Sequence, residues 1–102
     1  LSTVNALSVG DDIENYEFEI LTAYPNPFNP SVNIDYILDA SQFIEINIVN
    51  LEGKIIDVLE SSFKMEGIHS IVWNPINISS GVYFLNISSG NKIKTQKLMF
   101  MK

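Results

Sequence analysis

From Phe18 onward, apolar residues recur at every second position in short runs separated by turn residues, which is the pattern of half-buried strands and not of helices. Phe18 and Ile20, with Tyr16 before them, alternate with acids and predict a short strand leading into a domain. Val32, Ile34, Tyr36 and Leu38 share one face of the next run, with Asn33 and Asp35 opposite. Ile44, Ile46 and Ile48 form the inner face of a third, with Glu45 and Asn47 outside. Asn50-Leu51-Glu52-Gly53 supplies a turn, with Gly53 at positive φ, into a strand from Lys54 to Glu60. Gly67 opens a run to Trp73 that Asn74-Pro75 breaks, and Gly81 opens another through Val82, Tyr83, Phe84, Leu85 and Ile87. Ser89-Gly90-Asn91 then turns the chain into a last strand from Lys92 to Met101. These runs add up to about seven strands, and their spacing predicts an all-β fold, an immunoglobulin-like antiparallel β-sandwich.

Tyr24-Pro25-Asn26-Pro27-Phe28-Asn29-Pro30 fixes backbone φ repeatedly and forbids helix, so it marks a boundary close to the start of the domain. Residues 1–17 read as an acidic linker or the tail of a preceding domain, and 18–102 as the sandwich. Leu1-Ser2-Thr3-Val4 carries neither an initiator methionine nor a charged signal region, so the chain reads as the end of a longer protein.

At 102 residues and 46% hydrophobic, the chain can fill one core but not two. The absence of cysteine removes disulfides, thiolate metal sites and cysteine nucleophiles. Twelve acids against six lysines give a net charge of −6 without a single arginine, which argues against nucleic acid as a partner. No apolar run reaches the roughly 18 residues of a transmembrane helix. Charge is also polarised, with five acids before Ile20 and four lysines from Lys92 to Lys102. Such a basic strand either marks an interaction end or protects an exposed sheet edge.

Candidate chemistry is sparse. The single histidine, His69, falls on a strand face with Ile71 and Trp73, where packing or a structural hydrogen bond explains it. Ser70 and ten other serines offer a nucleophile, but no G-x-S-x-G elbow exists to support a Ser/His/Asp triad. Asp11, Asp12 and Glu14 lack the oxygen-ligand spacing of a calcium loop, and the five glycines are too dispersed for a phosphate loop. Asn77-Ile78-Ser79 and Asn86-Ile87-Ser88 match the N-glycosylation acceptor, a short pattern of little weight in a chain rich in Asn and Ser. No cofactor is called for, and the chain reads as a non-enzyme. Trp73, Tyr83 and Phe84 suggest a carbohydrate platform, against which stands their use as core side chains, although Tyr83 and Phe84 point to opposite faces and at most one of them fills the core. Leu98, Met99, Phe100 and Met101 put apolar groups on both faces of the last strand. Either a bulge reorders those faces, or the end is held out for a receptor that adds it to its own sheet or groove.

The order of these landmarks resembles the type A C-terminal sorting domain of the type IX (Por) secretion system. The segments that carry the likeness are Tyr24 to Pro30, Asn50 to Gly53, Gly67-Ile68-His69, Trp73, Ser80 to Phe84 and the terminal lysine-rich strand. The resemblance spans about residues 18–102. It implies an address on a cargo protein of a Bacteroidota-like bacterium, exported through the periplasm to the cell surface or extracellular space. The implied partners are the outer-membrane translocon, a surface sortase that cuts the domain off or leaves it in place, and the parent cargo domain on the N-terminal side. Carried over by position, Pro25, Asn26, Pro27 and Phe28 match the family's opening motif, and Gly53, Gly67 and Gly81 its turn glycines. Val82, Tyr83 and Phe84 match its most recognisable strand, and Lys97 to Lys102 its recognition end. Asn74-Pro75 departs from the acidic residue and glycine that relatives often carry there. The alternative is an accessory sandwich module of a secreted protein, either a carbohydrate binder or a structural spacer.

Overall fold

The computed structural model describes residues 17–102; Asp11, Asp12 and Glu14, with most of the expected linker, lie outside the described residues. The strands are β1 (Phe18–Tyr24), β2 (Val32–Leu38), β3 (Gln42–Val49), β4 (Ile55–Lys64), β5 (Gly67–Trp73), β6 (Gly81–Ser89) and β7 (Lys92–Phe100). They form two antiparallel sheets, one ordered β1-β2-β5 and the other β4-β3-β6-β7. This is an immunoglobulin-like sandwich in which the fourth strand has joined the third and not the fifth.

Period-two patterning does what it should. Val32, Ile34, Tyr36 and Leu38 point inward from β2, and Ile44, Ile46 and Ile48 from β3, all of them buried. Leu85 and Ile87 of β6 complete the centre of the core. Each fully buried side chain of this size contributes about 1.5–3 kcal/mol, which is how a domain without a disulfide holds together.

Two strand expectations need correction. β4 runs on to Lys64 instead of stopping at Glu60, because the segment Ser61 to Lys64, which lacks apolar alternation, still pairs residue for residue with Glu45 to Gln42 of β3. Two register shifts opposite Ile46 to Val49 leave Ile56 and Leu59 packed against the core, while Glu60, Ser62 and Lys64 stand opposite Ile46, Ile44 and Gln42. Those polar groups satisfy one another: Ser62 Oγ donates to Glu60 Oε2, and Lys64 Nζ lies 3.7 Å from the same oxygen. In β7 neither reading of the apolar end holds. Its register with β6 is unbroken from Lys92 to Phe100, so Leu98 and Phe100 are buried in the core and Met99 faces outward, half-buried.

Candidate recognition surface

The proline segment lies along the free side of the last strand. Phe28 N–H donates to the Met99 carbonyl at 2.9 Å, and Met101 N–H donates to the Phe28 carbonyl at 3.1 Å. Asn26 extends this short parallel pairing with its side chain, whose Oδ1 accepts from Met99 N–H at 2.9 Å while Nδ2 donates to the Lys97 carbonyl at 2.9 Å. Prolines have no N–H to give to a sheet, so a side-chain amide and the one non-proline residue between Pro27 and Asn29 do the pairing. The peptide bonds before Pro25, Pro27 and Pro30 are cis. Phe28 then drops its ring into the core, 5.5 Å from Trp73 and 5.1 Å from Phe100. The opening motif and the terminal strand are thus one structural unit, and Lys102 N–H is held in turn by Ser80 Oγ at 2.9 Å.

The basic strand divides in two. Lys92 and Lys94 reach across to the other sheet, to Glu17 at 2.9 Å and Glu19 at 3.4 Å, and join β7 to the start of β1. The Lys92 hydrogen bond, followed by its charge, holds the Glu17 carboxyl below its ordinary value of 4.5. Glu17 is fastened further by Asp39, whose Oδ1 accepts its N–H at 2.8 Å. Lys97 and Lys102 are exposed and make no ion pair among the described residues. Sequence reasoning missed the cross-sheet pairs, although Glu17 and Glu19 share the two-residue spacing of Lys92 and Lys94.

Gly53 closes the β3–β4 turn at φ 84°, with its N–H donating to the Asn50 carbonyl at 2.9 Å. Gly81 starts β6 at φ 153°, a region that side-chain-bearing residues rarely adopt. Gly67 begins β5 opposite Leu38. Val82 and Phe84 point out of the four-stranded sheet, half-buried, while Tyr83 points in and donates its hydroxyl to the Ser79 carbonyl at 2.7 Å.

Two of the three aromatics of the carbohydrate platform are core side chains, and only Phe84 faces outward. Trp73 is 2% and Tyr83 8% exposed; their rings meet edge to face at 5.7 Å, and Trp73 Nε1 donates to Asp57 at 3.0 Å. No sugar reaches either face. His69 stacks on Tyr36 at 5.4 Å, and its Nε2 donates to the Met65 carbonyl at 2.7 Å, a structural bond. Among the described residues no cluster of three or more His, Asp and Glu side chains could hold a metal, and no helix is long and apolar enough to cross a membrane. An open depression on the smaller sheet is lined by Thr22, Tyr24, Asn33, Asp35 and Ser70. There Asp35 already accepts from Ser70 Oγ at 2.5 Å and from Thr22 Oγ1 at 3.4 Å.

These features define an immunoglobulin-like sandwich module whose opening motif and closing strand are joined, and which presents outward-facing strand surfaces around that join. The chain belongs to the secretion system C-terminal sorting domain family, whose family model matches residues 22–101. That family consists of type IX sorting signals and not of enzymes, so membership supports a sorting role and export to the cell surface or extracellular space. Comparison with curated proteins finds no match.

Proposed function

We propose that this domain is the address by which a cargo protein, attached through residues 1–17, is handed to the type IX translocon and carried to the cell surface. The address is read as a folded object. The observation that carries this reading is the joining of Asn26 and Phe28 to Lys97, Met99 and Met101, which brings the two ends of the family match into one structure. Pro25 and Pro27 fix the backbone on either side of Asn26, while Gly53, Gly67 and Gly81 allow the turns and strand starts. Val82, Phe84, Lys97 and Lys102 supply exposed chemistry, and Tyr83 supports them from within. A surface sortase then cuts within 1–17 or leaves the domain in place, and the domain itself performs no catalysis.

The test is to place the full chain behind a periplasm-targeted fluorescent reporter, in a bacterium with a working type IX system and in its translocon-null derivative. Surface reporter in the first strain alone is the expected result, and loss of the domain's mass would add cleavage. Periplasmic reporter in both strains, with the domain folded, would overturn the reading and favour an accessory module.

A further inference from the structure

The outer face of the four-stranded sheet is divided by a polar ladder. Thr95 Oγ1 donates to Asn86 Oδ1 at 2.7 Å, and Asn86 Nδ2 donates to Asn47 Oδ1 at 3.5 Å, so this row across three strands satisfies itself. Toward the end that bears the β3–β4 turn and the C-terminus, the next row is apolar. Ile55 stands opposite Val49, Val49 opposite Phe84, and Phe84 opposite Lys97; Val82 and Met99 follow as a pair beyond them. Ile55 is 51% exposed and the others half-buried, so an apolar surface crosses β4, β3 and β6, meets Lys97 on β7, and continues into the neighbouring pair Val82 and Met99.

Charge falls on the same end. Of the six lysines, Lys64, Lys92 and Lys94 pair with Glu60, Glu17 and Glu19. The other three, Lys54, Lys97 and Lys102, are exposed, make no ion pair among the described residues, and sit at the turn before β4, on β7 and just after β7. In a chain of net charge −6, the cations without an ion pair therefore border this apolar stretch and not the second one at the opposite end of the face, where Phe43 stands opposite Phe63 and Ile93 is exposed but Lys64, Lys92 and Lys94 are paired. Apolar centre and charged rim together are the anatomy of a protein interface.

We infer that the apolar patch of Ile55, Val49, Phe84, Val82 and Met99, rimmed by Lys54, Lys97 and Lys102, is the face that docks on a protein partner presenting an apolar strip edged with carboxylates. This rests on the sorting reading and names its contact surface. An anionic lipid surface is the other occupant with matching chemistry, but three lysines on a body of net charge −6 give a leaflet little attraction.

The test uses the full-chain reporter fusion with four substitutions: Phe84→Lys, Lys97→Glu, Lys97→Arg, and Ile68→Lys on the outer face of the other sheet. Thermal melting checks each fold. Docking here predicts translocon-dependent export falling about tenfold or more in Phe84→Lys and Lys97→Glu, while Lys97→Arg and Ile68→Lys export like the parent. If Phe84→Lys fails to fold, the exposed Lys97→Glu carries the test. Export of the folded Lys97→Glu and Phe84→Lys chains at the parent level, or equal loss in Ile68→Lys, overturns the assigned face. Co-sedimentation with phosphatidylglycerol–phosphatidylcholine vesicles, lost in the same two variants, overturns it in favour of lipid. A parent fusion that never reaches the surface overturns the sorting reading beneath it instead.

Discussion

Asn26 and Met99 are 73 positions apart in sequence, yet the Asn26 side-chain oxygen accepts the Met99 N–H at 2.9 Å. Its amide nitrogen is committed as well, to the carbonyl of Lys97, so one side chain occupies the place of a neighbouring strand. Asn26→Ala leaves both backbone groups without that partner and should cost about 1–2 kcal/mol. Chemical denaturation measures the cost. Hydrogen exchange should show the Met99 amide losing protection well beyond the amides of β2.

Phe28 belongs to the same junction but acts through volume. It is 2% exposed, between Trp73 and Phe100, so Phe28→Ala removes a ring from a packed aromatic cluster and should cost about 3–5 kcal/mol. In a domain whose whole stability is about 5–15 kcal/mol, that leaves a marginal fold. The melting temperature falls accordingly, by about 4–8 °C per kcal/mol. Trp73 fluorescence reports the loosening directly.

Alkaline pH should act through Tyr36. Burial, reinforced by the charge of Glu60, raises its hydroxyl above the ordinary value of 10.0. The folded state therefore holds a proton that the unfolded state releases. The stability linked to that proton is full below pH 10.0 and is lost as pH rises toward and through the folded value. Tyr36→Phe should abolish this part of the alkaline loss, read from denaturation midpoints measured at increasing pH. On the acid side Glu17, lowered by Lys92, contributes above 4.5 and loses that contribution as pH falls through its folded value, an effect that Lys92→Ala removes.

Gly81 is required for its backbone and not for space. At φ 153°, a Cβ placed on it would meet no atom within 4 Å, so the penalty of Gly81→Ala comes from conformation alone. It should cost about 1–3 kcal/mol in a denaturation experiment. The same substitution at Gly53, φ 84°, probes the β3–β4 turn independently.

The strands were legible where one face is wholly buried, because alternation in β2, β3 and β6 leaves only one register that hides Ile34, Ile46 and Leu85. The end of β4 was less legible, since the half-buried positions Glu60, Ser62 and Lys64 of this edge strand are polar and give no apolar alternation to read. The family motifs were visible as residues, but their meeting was not. Asn26 reads in sequence as a turn residue among prolines, and only the path of β7 beside it gives its amide two partners. The paired lysines were hidden for the same reason: Lys92 finds Glu17 across 75 positions and between two sheets. Trp73 could be read as platform or core, and the neighbouring rings of Phe28 and Tyr83 decide for the core.

On the sorting reading, the address is a folded surface assembled from both ends of the domain. The most direct measurement compares surface-exposed reporter, normalised to total reporter, for the parent chain, Asn26→Ala and Phe28→Ala, over temperatures that span the melting of each. Export should follow the folded fraction, so that Phe28→Ala fails at temperatures where the parent succeeds and recovers on cooling. Equal export from the unfolded Phe28→Ala chain would contradict it and show that a linear C-terminal peptide is the signal.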